Sequence, residues 1–150
     1  MTHTNHHHRP IRHHLDEATL LSYSAGTLPE AFNLIVATHL SLCDRCRADA
    51  HAYDAVGGAL LDAETSDVSR DCLERTLALL DVTASEPVKT SAEGTLPAPL
   101  QDYVGGDLDS IRWRPIGMGV KQAILPTSKG ATARLLFIPA GAAMPDHSHH

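Results

Sequence analysis

The stretch Thr38-His39-Leu40-Ser41-Leu42-Cys43-Asp44-Arg45-Cys46 decides how the first half of this chain folds. It places an imidazole at His39, a thiol four residues later at Cys43 and a second thiol three residues after that at Cys46. Spacings of four and three return side chains to one face of a helix or helix-turn. Because zinc binds imidazole nitrogens and thiolates, this pattern predicts three of the four ligands of a tetrahedral zinc site.

The fourth ligand must come from another part of the chain, and the segment before the first predicted helix supplies the candidates. His14 lies closest to the helical frame and is the preferred ligand, with His13 as its competitor. A carboxylate of Asp16 or Glu17 is a further option, although carboxylates are uncommon in structural zinc sites. We therefore predict one structural zinc ion, bound by His14, His39, Cys43 and Cys46.

Two other interpretations of the cysteine pair stay open at this point. A redox-active Cys-x-x-Cys of the thioredoxin type would need a preceding strand and a βαβ pattern, and the sequence around the pair has neither. An ordinary core histidine with two small apolar thiols is the other interpretation, which the regular spacing disfavours. The third cysteine, Cys72, falls on an apolar helical stripe and is interpreted as a buried, inert thiol.

The composition of the 150-residue chain narrows the classes of function. Its formal net charge is -6, and only 4% of its residues are aromatic. Nucleic-acid surfaces need clustered positive charge or aromatic stacking platforms, so direct nucleic-acid binding is not expected. Three cysteines do not form a paired disulfide framework, and the sequence has neither an apolar signal core nor a run of about 20 apolar residues. It therefore predicts a cytoplasmic protein that does not enter the membrane.

Hydrophobic periodicity predicts four helices between residues 15 and 82. They cover residues 15–24, 31–42, 44 to about 63, and 68–82. Gly26 is the predicted stop of the first helix, Thr27 the predicted cap of the second, and residues 65–67 the predicted cap of the fourth.

The second helix is more apolar than a single core face requires. Phe32 and Ile35 follow one stripe with helical spacing, whereas Leu34 and Val36 lie off that stripe. One stripe is expected to pack internally and the other to meet a partner protein. The predicted partner-binding residues are Leu20, Leu21, Phe32, Leu34, Ile35 and Val36.

The character of the chain changes after the fourth helix. Residues 83–99 are rich in proline and small polar residues without periodicity, and we interpret them as a linker. Residues 100–150 are β-like, with predicted strands at 111–114, 120–125 and 133–138. Because two or three strands cannot bury a useful core alone, this segment is expected to be the truncated start of a β-domain. The predicted fold class is α+β: a His-rich tail (1–14), a four-helix domain (15–82), a linker and an incomplete β-segment.

A second group of histidines lies at the end of the sequence. His147 and His149 are two residues apart, which places both imidazoles on one face of a strand after the turn at Pro145-Asp146. Two imidazoles form half of a coordination sphere, so the pair is a candidate second metal half-site. A frayed polar terminus is the alternative interpretation.

Several of these motifs together resemble the zinc-binding anti-sigma family, and in particular its ChrR-type members. In the helical half the resemblance rests on His14, the stretch from Leu20 to Phe32, His39, and the pair Cys43 and Cys46. In the second half it rests on residues 113–114, 122–126, 133–136 and 145–149, which resemble the start of that family's C-terminal cupin domain. The sequence departs from the family in ending inside the first cupin metal motif and in its His-rich tail.

The resemblance implies a function as well as a fold. In that family, the zinc-binding helical domain binds an extracytoplasmic-function sigma factor and keeps it from RNA polymerase, without catalysis. The resemblance also implies that the cupin domain takes part in the response to singlet oxygen or related oxidants. When intact, this domain would bind a second divalent metal. Two alternatives belong to other classes: a metal-dependent cupin-type enzyme with an appended helical zinc module, and a zinc-stabilised DNA-binding module that the net charge disfavours.

Overall fold

The computed structural model describes residues 11–82 and 94–142 of the chain. The described part is α+β, as the sequence predicts. Its helices are α1 (Glu17–Ser24), α2 (Glu30–Leu42), α3 (Asp44–Ala63), α4 (Cys72–Val82) and α5 (Ala98–Val104). A 3-10 helix (Leu108–Ser110) leads into the strands β1 (Arg114–Gly117), β2 (Val120–Ile124) and β3 (Arg134–Phe137). The candidate half-site of His147 and His149 and most of the predicted linker lie outside the described residues.

The first helix begins two residues later than predicted because Asp16 caps it. Asp16 Oδ1 accepts a hydrogen bond from the Thr19 backbone N–H (2.8 Å), and Oδ2 accepts one from the Thr19 hydroxyl (2.8 Å). These donors lower the pKa of the Asp16 carboxyl below its usual value. At the other end, Gly26 has a φ of 68°, the left-handed conformation that commonly ends helices. The predicted stop at Gly26 is confirmed.

Two predicted caps are wrong. The Thr27 hydroxyl donates a hydrogen bond to the Ser22 carbonyl at the end of α1 (3.2 Å) instead of capping α2. Pro29 takes the N-cap position of α2, and its side chain makes no capping hydrogen bond. The fourth helix begins at Cys72 and not at residue 68, because a turn closed by a hydrogen bond from Cys72 N to Ser69 O precedes it (3.0 Å).

Helix α5 is an element that the sequence pattern did not predict. It begins in the last two residues of the predicted linker, where Pro97 and Pro99 favoured an irregular segment, and extends into the predicted β-segment. Pro97 is in fact the N-cap residue and Pro99 lies in the first turn, where a missing N–H costs nothing. Gly105, with a φ of 74°, ends the helix.

The three strands form an antiparallel sheet in the order β1-β2-β3. Arg114 pairs with Gln122, and Ala123 pairs with Leu135. The first strand begins three residues later than predicted, because Trp113 N donates to the Ile111 carbonyl (3.0 Å) and the chain turns there.

Helix α2 separates two hydrophobic cores. The core between the helices contains the buried residues Leu20, Val36, Leu40, Cys43, Cys46 and Ala50. The second core contains the buried residues Ala31, Leu34, Leu125 and Ala133. Each core takes a different face of α2, so Leu125 and Ala133, which directly follow β2 and precede β3, are buried against a helix of the first half. The β-segment, expected to lack a useful core of its own, therefore shares one with α2.

Replacing Gly26 with alanine is expected to lower the free energy of unfolding by about 1 kcal/mol, because a Cβ disfavours the left-handed conformation. The position is surrounded by open space, so this cost is conformational and not steric. Gly57 is the matched control, since it lies inside α3 with equally open space. There, Gly57→Ala is expected to raise the free energy of unfolding by about 1 kcal/mol. Urea unfolding measures both variants, and shifts of the same sign would contradict this interpretation.

Candidate metal centre

Three of the predicted ligands are held by the junction of two helices. His39 lies in the last turn of α2, Cys43 is the residue between α2 and α3, and Cys46 lies in the first turn of α3. Cys43 is extended, with φ of -113° and ψ of 102°. Its N–H donates to the His39 carbonyl (2.9 Å), and its carbonyl accepts from the N–H of Arg47 (3.0 Å). One non-helical residue thus turns the chain while keeping the three side chains together.

Four ligand atoms converge at this junction. His39 Nε2 lies 3.3 Å from Cys46 Sγ. His14 Nδ1 lies 3.4 Å from Cys43 Sγ and 3.6 Å from Cys46 Sγ. All four ligand atoms lie within 4.8 Å of one another. In a tetrahedral site with metal–ligand bonds of about 2.0–2.3 Å, neighbouring ligand atoms are about 3.3–3.8 Å apart, so the group is able to hold a metal ion.

The structure brings His14, and not His13, into the group. His14 comes from the segment before α1, so a metal ion bound here would join that segment to the junction of α2 and α3. Asp16, the carboxylate alternative, caps α1 instead. Four protein ligands leave no open position for a substrate, which is the arrangement of structural and not catalytic sites. The role of the four residues as ligands stays a prediction.

The two thiols belong to the first core as well as to the candidate site. Cys46 is fully buried and Cys43 is nearly so. Burial raises the pKa of the Cys46 thiol, the backbone of Leu15 lowers it, and the neighbouring Cys43 raises it further. Metal ligation requires the thiolate, and a divalent cation between the sulfurs would supply the charge that stabilises it. Metal binding and core packing therefore depend on the same residues.

Arg47 supports the junction, and the sequence analysis missed it. Its Nη1 donates a hydrogen bond to the Leu40 carbonyl (2.7 Å), which lies in the last turn of α2, where carbonyls lack helical partners. The same guanidinium contacts the Asp44 carboxylate. The only indication of this role in the sequence was that Arg47 is a basic residue next to Cys46. Arg45 is also a basic residue next to Cys46, but it does not make the contact with the end of α2.

The six predicted partner-binding residues divide into two groups. Leu21, Phe32 and Ile35 are about half exposed, at 52%, 50% and 53%. Leu20, Leu34 and Val36 are buried in the two cores of the chain itself. In this conformation Leu20 and Val36 are covered by the core between the helices, and Leu34 is covered by the C-terminal half. Contact of all six residues with a partner stays a prediction.

No helix in the two described ranges has both the length and the hydrophobicity needed to cross a membrane. Among the same residues, the group of His14, His39, Cys43 and Cys46 has the arrangement of a metal site. Fold and site thus define the class of this protein by its architecture: a helical domain with a closed four-residue candidate metal centre is joined to a small antiparallel sheet.

Comparison with known proteins identifies the family. No family model matches the chain. The chain is 56% identical over 142 residues to the anti-sigma-E factor ChrR of Cereibacter sphaeroides, and the match covers 93% of this chain and 66% of that protein. Its fold matches a chain in the crystal structure of Rhodobacter sphaeroides SigE in complex with the anti-sigma ChrR, with a TM-score of 0.76 and 51% identity. That match covers 92% of this chain and 75% of the other.

The chain belongs to the ChrR-type anti-sigma factors, which are non-enzymatic regulators. The predicted resemblance is therefore confirmed. The alternatives of a cupin-type enzyme and of a DNA-binding module are not supported by either comparison. The chain spans about two thirds of the length of the curated relative.

Proposed function

We propose that this protein binds an extracytoplasmic-function sigma factor through its helical domain and withholds that factor from RNA polymerase. The family supports this proposal, since the matched ChrR is named for its action on sigma-E and forms a complex with SigE. The observation on this chain that carries the proposal is a set of exposed apolar side chains on α3 and α4. An acidic chain also suits a partner that binds DNA, because such proteins are basic.

Helix α4 is the strongest part of this argument. It has 11 residues, and isolated helices shorter than about 12–15 residues are marginal in water. Its apolar residues Leu73, Leu77 and Leu80 recur at helical spacing and are 70%, 51% and 64% exposed. A short helix with an uncovered apolar stripe gains stability by packing, and a sigma factor is the partner that the family supports.

A groove between α1 and α3 extends the proposed interface. It is lined by Leu21 of α1 and by Tyr53, Val56 and Leu60 of α3. Val56 and Leu60 are more than half exposed. An amphipathic helix of the sigma factor, with apolar residues at helical spacing, would fit such a groove.

We also propose that the ion at the metal centre is zinc and that its role is structural. Two imidazoles and two thiolates in a closed tetrahedral arrangement are a common zinc ligand set. The division into a tail (1–14), a helical domain (15–82), a linker (83–99) and a β-segment (100–150) that belongs to a cupin-like domain stays a proposal, and α5 (Ala98–Val104) crosses the predicted boundary between linker and β-segment. We propose that this domain responds to singlet oxygen or related oxidants and holds a second divalent metal through His147 and His149.

The cytoplasm is the proposed location, since sigma factors and RNA polymerase act there.

A shortened chain ending at Val82 is expected to bind the sigma factor within roughly tenfold of the full chain, about 1.4 kcal/mol. The metal centre and the proposed apolar interface both lie before this residue. Truncation uncovers Ala31 and Leu34, which are buried against the C-terminal half, so a small loss of stability is expected. Surface plasmon resonance with immobilised sigma factor measures the affinity, and complete loss of binding would contradict the proposed interface.

Competition with core RNA polymerase tests the proposed function. Sigma factor is first mixed with the metal-loaded chain and then with core enzyme, and holoenzyme is measured by gel filtration and by transcription from a sigma-dependent promoter. The chain is expected to prevent holoenzyme formation in proportion to its concentration. Undiminished transcription at a large excess of the chain would contradict the proposal.

A further inference from the structure

The carboxylate of Glu30 joins the two halves of the chain. Glu30 is the first residue of α2. Its Oε1 accepts a hydrogen bond from the Tyr103 hydroxyl of α5 (2.7 Å), and its Oε2 accepts one from the backbone N–H of Ser128, between β2 and β3 (2.5 Å). These partners lie 73 and 98 residues away in the sequence. Both carboxylate oxygens thus accept hydrogen bonds that connect α2 with two parts of the C-terminal half, namely α5 and the segment between β2 and β3.

The ionised form of Glu30 is the form that this arrangement favours. The Tyr103 hydroxyl, followed by the backbone and side chain of Ser128, lowers the pKa of the Glu30 carboxyl below its usual value. The same hydrogen bond, together with burial, raises the pKa of Tyr103. Hydrogen bonds to a charged acceptor are stronger than those between neutral groups.

Apolar contacts follow directly after this polar contact. Ala31 and Leu34, one and four residues beyond Glu30, are buried with Leu125 and Ala133 of the sheet. The hydrogen bond from Leu125 N to Ala133 O (3.0 Å) continues the pairing of β2 and β3 into this core. The sheet is therefore fixed to α2 by a charged contact at the helix end and by packing along the next turn.

The opposite end of α2 belongs to the metal centre. His39 lies nine residues after Glu30, about 14 Å along the helix at 1.5 Å per residue. Val36, which lies between them, and Leu40, which follows His39, pack in the first core. A helix of 13 residues packed on two sides moves as a unit, so a displacement of the C-terminal half at Glu30 reaches His39 and the helical domain.

We propose that Glu30 is a latch: its hydrogen bonds to Tyr103 and Ser128 let the C-terminal half change the affinity of the helical domain for the sigma factor. The inference rests on the proposed function. When both hydrogen bonds are formed, the latch is closed and a movement of the C-terminal half displaces α2. With the latch open, the helical domain binds the sigma factor but no longer receives the signal to release it. The hydrogen bonds from Tyr103 and Ser128 to Glu30 define the closed latch in this chain.

Hydrogen exchange on the full, metal-loaded chain tests the latch without any sigma factor. Glu30→Gln removes the charge and leaves one acceptor oxygen in place of two, so the Tyr103 hydroxyl and the Ser128 N–H can no longer each donate to an oxygen of their own. Tyr103→Phe removes only the hydroxyl. Each variant is expected to raise exchange about tenfold in α5 and in the segment around Ser128. Because both substitutions act on the hydrogen bonds of one side chain, Glu30, the double variant is expected to show less than the product of the two effects.

Glu64→Gln is the matched control, since Glu64 is exposed at the end of α3, outside α5 and outside the segment around Ser128. Unchanged exchange in α5 for both latch variants would overturn the proposal, as would a rise spread evenly over the chain. If Glu30→Gln does not fold, Tyr103→Phe alone decides between these outcomes.

A second measurement tests the consequence for the sigma factor. The wild type and the latch variants, each bound to sigma factor, are exposed to singlet oxygen, and released sigma factor is measured by its transcription activity. The latch variants are expected to bind the sigma factor normally and to release it at least about tenfold less than the wild type. Release equal to that of the wild type would overturn the proposal. If the wild type itself binds no sigma factor, the proposed function fails, while hydrogen exchange still decides whether the latch exists.

Discussion

Replacing Cys46 with serine is expected to abolish metal binding and to unfold the helical domain. Cys46 is fully buried and lies within 3.6 Å of both His14 and His39 ligand atoms. A serine hydroxyl is a poor ligand for zinc, and three ligands do not close the site. Structural zinc contributes folding free energy on the order of 10 kcal/mol in small peptides, more than the total stability of many domains. Metal analysis and far-ultraviolet circular dichroism measure both effects.

Cys72→Ser is the matched control for this experiment. Cys72 is a free cysteine at the start of α4 and is not part of the four-residue group. This variant is expected to retain one metal ion per chain and the helical content of the wild type. Addition of a strong chelator to the wild type should reproduce the loss of helix seen with Cys46→Ser. A Cys46→Ser protein that holds zinc as tightly as the wild type would refute the proposed ligand set.

The double variant Leu73→Asp, Leu77→Asp is expected to lower the affinity for the sigma factor at least about a hundredfold. Both side chains lie on the exposed stripe of α4, and buried apolar anchors of an interface contribute about 2 kcal/mol or more each. Two carboxylates would have to be desolvated in the complex, which adds to the loss. Because α4 lies outside both cores, metal content should stay unchanged. Isothermal titration calorimetry measures the affinity.

Ala78→Asp is the matched control for α4. Ala78 is exposed and lies off the apolar stripe, about 100° past Leu77 and about 140° past Leu73 on a helix with 3.6 residues per turn. The substitution adds one carboxylate to the same helix and is expected to change the affinity by less than about threefold. Equal losses for the control and the double variant would mean that helix stability or net charge, and not the apolar stripe, determines binding.

Most of the metal centre could be predicted because three of its four residues lie close together in the sequence. His39, Cys43 and Cys46 lie within eight residues, and spacings of four and three predict that their side chains meet on a helix or a helix-turn; in the structure the extended Cys43 makes that turn. His14 was preferred over His13 only because it lies closer to the helical frame, since adjacent residues outside a helix have no periodicity to separate them. The structure selects His14 through the position of the segment before α1.

Contacts between distant segments were beyond the reach of the sequence pattern. The bonds of Glu30 to Tyr103 and Ser128 join residues with no shared periodicity. The surplus apolar character of α2 was recognised, but the sequence pattern did not show that part of it packs against the C-terminal half, which explains why Leu34 is buried. Helix α5 was missed because its prolines, which start the helix, also resemble those of a linker.

Binding of an extracytoplasmic-function sigma factor is best tested by titrating the metal-loaded full chain into that factor in a calorimeter. The factor should be the one from the source organism most similar to SigE, with Rhodobacter sphaeroides SigE measured alongside. We expect a one-to-one complex with a Kd below about 1 μM, which corresponds to a binding free energy of about -8 kcal/mol or stronger. Absence of a complex with either sigma factor at concentrations well above about 1 μM would contradict the assignment of this chain as an anti-sigma factor.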